Sequence, residues 1–466
     1  MTRLKMFLAG MAILLLTCLA LMAQAPPAGN AIVVEPADPQ IVAAMKDVSA
    51  QRIQQTIEKL VGFQSRHTLS SEVPASSGKG INAAAEWIRS ELESYSKACG
   101  GCLEVKIDEF TQEAANRVPK PTKLTNVYAV LRGSDPTNAS RIVLVTGHYD
   151  SRNSETNDAT GASPGANDDG SGTAVSMECA RVLSRHKFPA SIIFLIVAGE
   201  EQGLYGSAHF AKMARAEGWN IEAVLNNDIV GGDKTPGDTK QDSHIVRVFS
   251  EGIPSNATEA ELKLIRGVGG ENDGASRQLA RYVTSVAKEY FAAKEFHPLV
   301  VFRRDRYLRG GDHTSFNEQG FAAVRFTEYR ENYGHQHQNV RTENGVEYGD
   351  LPKFVDYAYV ANVARLNAAT LASLASAPAP PAKVRVLTKA LQNDSTLVWE
   401  ASPGGLATGY QVLWRDTGAP DWENAQHFGN VTQATLPLSK DNVIFAVQAE
   451  GAKGHRSLPV VPVPER

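Results

Sequence analysis

The segment Ser191 to Ala198, Ser-Ile-Ile-Phe-Leu-Ile-Val-Ala, is apolar at nearly every position and runs straight into Gly199-Glu200-Glu201. An apolar run this short suits a strand buried on both faces, as in a parallel sheet. Comparable runs at Arg141 to Thr146, Val224 to Asp228 and Ala322 to Phe326 alternate with helical patterns. That alternation predicts an α/β layer around a largely parallel central sheet. Upstream, Val42 to Phe63 and Ile81 to Tyr95 carry apolar residues at helical spacing, and Leu103 to Phe110 and Asn126 to Leu131 have strand composition.

At 466 residues the chain is too long for one hydrophobic core and predicts two to three domains. A net charge of -4 gives no electrostatic footprint for nucleic acid. Thr2-Arg3-Leu4-Lys5, the apolar run Met6 to Met22 and Ala23-Gln24-Ala25 have the order of a secretory signal peptide, assigned to residues 1–25. This reading is preferred to a membrane anchor and predicts a secreted or periplasmic protein with no stable membrane insertion after cleavage. Leu15-Leu16-Thr17 is a poor lipidation context for Cys18. In an exported chain, Cys99 and Cys102 at CxxC spacing are expected to form a short-loop disulfide, and Cys179 to be a buried thiol.

The Pro/Ala-rich stretch 376–382 reads as a semi-rigid linker between a body at 26–375 and a tail at 383–466. In the tail, Lys383 to Leu387, Ser395 to Trp399, Gly409 to Trp414 and Val443 to Ala449 are short alternating strands, the patterning of an all-β sandwich. With Trp399 early, Tyr410-Gln411-Val412 in the middle and Phe445-Ala446-Val447 late, it resembles a fibronectin type III domain. That implies a spacing module or one that contacts a surface or polymer.

Each buried run of the body delivers an acidic or imidazole group at its end, where open α/β sheets gather their sites. Ile142 to Thr146 leads into Gly147-His148-Tyr149-Asp150, in which His148 offers one ring nitrogen to a metal and Asp150 is placed to orient the other. Gly165-Ala166-Asn167-Asp168-Asp169-Gly170-Ser171-Gly172 brings Asp168 inward ahead of a helix; without its neighbours it reads first as an acidic cap and turn. Glu200 and Glu201 are adjacent carboxylates that repel unless a cation or shared proton compensates them. Asp228 follows Asn226-Asn227, and the late segment Glu331 to Gln338 adds His335 and His337. Two His, two Asp and one Glu suit a pair of zinc ions bridged by a carboxylate and a water.

In this order the motifs resemble the bacterial leucyl-aminopeptidase-like di-zinc peptidases, whose relatives include glutaminyl cyclase and transferrin receptor, over residues 40 to 375. The resemblance implies a mixed, mainly parallel sheet covered by helices on both faces. It implies His148 and Asp228 on one zinc, Glu201 and the late histidine on the other, and Asp168 between them. Glu200 is then the general base and Asp150 the partner of His148. The late segment lacks the family's His-Thr signature, and the distance from Tyr333 favours His337 over His335. Asp312-His313 resembles a supporting Ser-Asp-His segment, so His313 is not expected to hold metal. The implied activity is that of a secreted zinc exopeptidase, an aminopeptidase first of all, acting on peptides. A carboxypeptidase of the same fold, a glutaminyl cyclase-like acyl transferase and a non-catalytic binding protein are the alternatives.

Overall fold

Eight strands of the body lie in one sheet: β1 Leu103–Gln112, β2 Thr122–Leu131, β3 Arg141–His148, β4 Ser191–Val197, β5 Asn220–Asn227, β6 Ile245–Ser250, β7 His297–Val301 and β8 Ala323–Glu328. The computed structural model describes residues 30–307 and 309–465. The expected signal peptide, with Cys18, lies outside the described residues. Sheet order is β1-β2-β4-β3-β5-β8-β6-β7. The centre is parallel, β3 pairing with β4 and β5, and β5 with β8, while β1-β2, β2-β4 and β8-β6 are antiparallel.

Strand period two sends alternate side chains to opposite faces, and both faces are covered. Val143, Val145, Ile192, Phe194 and Ile196 pack into a core shared with the helices Ala50–Gly62, Gly80–Ala98, Gly170–Leu183 and Tyr357–Ser376. Leu144, Ile193, Leu195 and Val197 meet Phe210 and Phe316 on the other face, from the helices Tyr205–Ala216 and Asp312–Glu318. Full burial of each such aliphatic side chain is worth roughly 1.5–3 kcal/mol, which makes this double cover the main source of stability.

The helical pattern from Val42 to Phe63 divides into Pro39–Lys46 and Ala50–Gly62. The break comes at Ser49, whose hydroxyl accepts the Arg52 N–H as an N-cap and whose own N–H is taken by Glu178. Cys99 and Cys102 are disulfide-bonded, and Cys179 is buried.

Beyond residue 381 the described chain forms a three-stranded and a four-stranded sheet around Leu397, Trp399, Tyr410, Val412, Trp414 and Phe445. The stretch expected to be an extended linker is packed, since Ala377 and Ala379 are buried and the Arg141 guanidinium donates to the Ala377 and Pro378 carbonyls. Asn30 and Ala31 add the fourth strand to the three-stranded sheet, pairing with Ala425 and Asn424. Among the described residues no helix is long and apolar enough to cross a membrane.

Candidate metal centre

The carboxyl ends of β3, β4, β5 and β8 point to one edge of the sheet, because these strands are mutually parallel. His148 is the last residue of β3. After β4 the chain turns at Gly199, whose φ of 76° lies in the left-handed region, and presents Glu200 and Glu201. Asp228 follows β5. Asp168 sits just before the helix Gly170–Leu183, with a cis peptide to Asp169.

These groups form two triads, His148 with Glu200 and Asp228, and Asp168 with Glu201 and His337, the possible ligand atoms of each lying within 4.8 Å of one another. Asp168 touches both triads. Its Oδ1 is 3.3 Å from His148 Nε2 and its Oδ2 is 2.8 Å from His337 Nε2. Glu201 Oε1 is buried 3.0 Å from His337 Nε2, yet receives no hydrogen bond of acceptable geometry. A buried carboxylate oxygen without a donor fits a cation as its partner.

Electrostatics point the same way. Burial opposes a charged imidazole, but Glu201 and Asp168 raise His337 to about 10. Burial likewise opposes charge on His148, and Glu200, Asp150, Asp168 and Asp228 still hold its pKa well above the ordinary value. The pocket therefore favours positive charge strongly. Burial lifts Glu200 well above the usual carboxylate range, against the pull of His148 and with the help of Asp228, Glu201 and Asp312. Asp228 is kept below the ordinary value despite its burial, first by the Arg325 guanidinium 3.0 Å away.

A shell of further residues fixes these positions. Asp150 Oδ1 lies 3.5 Å from His148 Nδ1, with the Asp150 carbonyl at 3.1 Å. The same carboxylate accepts from Thr68 and from the Glu200 and Glu201 N–H groups; burial opposes its charge, but His148 first, then Thr68 and the Glu201 N–H, lower its pKa. Asp169 caps the helix at Gly172 and accepts the His148 N–H, tying helix to strand. Asp350 accepts the Asn167 and Asp168 N–H groups at 2.8 and 2.7 Å. Arg152 reaches Glu201 Oε2 at 3.0 Å. Sequence reasoning missed Asp350, Arg325, Arg152 and Thr68: Asp350, Arg325 and Thr68 arrive from distant segments, and Arg152, two residues beyond Asp150, stands outside the motif. His335 turns away from the triads to bond Asp233 and stack on Phe354. His313 is buried, with Nε2 on the Arg304 carbonyl.

A doubly covered α/β sheet with paired carboxylate and imidazole triads at its parallel strand ends is the build of an α/β metallopeptidase. The chain belongs to peptidase family M28: residues 126–344 match the family profile described as Peptidase family M28. It is 44% identical over 444 residues to a probable zinc metalloprotease of Pyrenophora teres f. teres, covering 94% of this chain and 90% of that protein. A probable zinc metalloprotease of Pyricularia oryzae is 43% identical over 445 residues, covering 94% and 87%. The fold is similar to that of the LapA aminopeptidase of Legionella pneumophila, with a TM-score of 0.51 at 21% identity over 74% of this chain and 77% of that one.

Proposed function

We propose that this peptidase is an exported aminopeptidase that uses two zinc ions to remove N-terminal residues from peptides. The observation that carries the reading is Asp168, which offers one carboxylate oxygen to each histidine. His148 and Asp228 would hold one ion, Glu201 and His337 the other, with Asp168 between. Relatives named as zinc metalloproteases and a fold shared with an aminopeptidase support it. Export is supported by the signal-like start and by the Cys99–Cys102 disulfide, which persists in oxidising compartments.

Bound at these triads, zinc supplies Lewis acidity that polarises a peptide carbonyl and makes water a stronger acid. Glu200 takes the proton of the attacking water and returns it to the leaving amine, work suited to a carboxylate whose proton affinity is raised. Asp150 holds the His148 ring, and Arg325 keeps Asp228 ionised. The buried carboxylates at the cleft floor match a free α-amino group. The C-terminal sandwich, read as fibronectin type III-like, contributes none of the triad residues.

Elemental analysis is expected to find two zinc ions per chain, and chelation to abolish hydrolysis of aminoacyl p-nitroanilides. Glu200→Gln should keep its zinc while kcat falls by about 10²–10⁴. Near-normal turnover in that variant, or equal cleavage of N-terminally blocked peptides, would overturn the assignment.

A further inference from the structure

A cleft of about 580 Å³ opens onto Asp168, Glu200, Glu201, Asp228 and His337, and its lining also holds Arg117, Arg152, Arg306 and Arg309. This size suits a short peptide rather than a single small group. Asp168, Glu201 and Asp228 are buried and Glu200 half-buried, whereas Arg117 and Arg309 are exposed, so the cleft has an acidic floor and a basic mouth. Arg152 is committed to Glu201. The other three are undercompensated.

Arg306 and Arg309 reach Glu331 at 2.7 and 3.5 Å, but Arg247 claims the same carboxylate at 2.8 Å. Asp305 lies 3.2 Å from Arg306 and is also shared, with Arg325 at 3.1 Å. Arg117 donates to the Glu201 carbonyl at 3.2 Å and pairs with no carboxylate among the described residues. Two zinc ions would balance the four carboxylates of the floor, leaving the mouth as the net charge a substrate meets.

We infer that Arg117, Arg306 and Arg309 form a subsite for a substrate carboxylate distant from the bond that is cut. Guanidinium groups bind carboxylates through paired, charge-assisted hydrogen bonds, and an ammonium would be repelled there. Tyr333, 63% exposed and under the Arg309 guanidinium at 6.0 Å, gives that side chain a platform at the lip. The carboxylate belongs either to an acidic side chain or to the C-terminus of a short peptide. The inference rests on the metallopeptidase reading for the orientation of the substrate.

The test measures calorimetric binding to zinc-loaded Glu200→Gln of Ala-Ala-Ala amide, of the same amide with Glu at each position in turn, and of Ala-Ala-Ala free acid. A carboxylate is expected to tighten binding by about tenfold or more. The peptide that shows the gain identifies the source, side chain or terminus. Adding Arg117→Gln and Arg309→Gln should erase the gain, whereas Arg309→Lys should keep part of it. Equal affinities throughout, or a preference that survives the double substitution, overturn the subsite. Hydrolysis by the wild-type enzyme separates the two failures: cleavage of all these peptides at like rates removes only the subsite, while no zinc-dependent cleavage of any peptide removes the metallopeptidase reading as well.

Discussion

Glu328, the last residue of β8, is fully buried, its Oε2 accepting from Asn167 at 3.2 Å and from the Asp233 N–H at 2.9 Å. Burial pushes its pKa up to about 8, more than those hydrogen bonds offset. Between the unfolded value of 4.5 and about 8, the folded chain keeps a proton that the unfolded chain has released. The unfolded state then binds fewer protons, so stability falls as pH rises across that window, by up to about 1.4 kcal/mol per pH unit. Glu328→Gln should flatten this slope, read from urea midpoints at pH values spanning the window. The two late histidines differ at the same scale. His337 is turned toward Asp168 and Glu201 by a backbone φ of 55°, unusual for a side-chain-bearing residue. His335 meets Asp233 instead. Accordingly, His337→Ala should lower bound zinc, whereas His335→Ala should retain it and lose about 1–3 kcal/mol of stability, the penalty of leaving Asp233 Oδ2 buried without its donor while Oδ1 keeps Thr235 and Asn332.

Among the elements, the helix Gly170–Leu183 is the one that brings Asp168 to the strand ends. It can approach only because residue 172 has no side chain, as a Cβ there would lie 2.1 Å from the Asn227 carbonyl oxygen. Gly172→Ala should therefore push the helix off β5, costing about 1–3 kcal/mol and weakening zinc retention, measurable as a lower melting temperature and a lower metal content. This helix was legible from its glycine-rich entry, and β3, β4, β5 and β8 from their apolar runs. Strands β6 and β7 were not. β7 is half exposed, with the burial of a sheet edge, and its His297-Pro298 start lacks the continuous apolar run that marks the central strands.

For the whole molecule, the sandwich and the peptidase body meet through charge. Asp273 is paired with Arg281 of the body and Arg415 of the sandwich, both at 2.9 Å, and all three side chains are no more than 3% exposed. Trp422 Nε1 donates to Gln278 beside them. Asp273→Asn would leave two buried guanidinium groups without their countercharge. Breaking such a pair costs about 3–5 kcal/mol, and unfolding followed by tryptophan fluorescence should show the sandwich separating from the body in a distinct earlier step. At the other end of the interface Asp38 caps its own helix at Gln40 and accepts from His455, so the first described helix of the body is tied to the C-terminal layer.

The sequence by itself determined the chemistry and its order: Glu200 and Glu201 after one buried run, His148, Asp168 and Asp228 after others, and the all-β tail. Those are local patterns, readable because strand burial and strand-end position are written in consecutive residues. Spacing from Tyr333 already favoured His337 over His335, and the tertiary structure supplies the physical reason, a backbone turn that brings His337 to Asp168 and Glu201 and His335 to Asp233. Tertiary structure alone decided that Arg325 neutralises Asp228, that Asp350 holds the Asp168 loop, and that residues 376–382 are packed. These depend on segments far apart in the chain, where contact is set by sheet order and helix packing rather than by neighbouring residues.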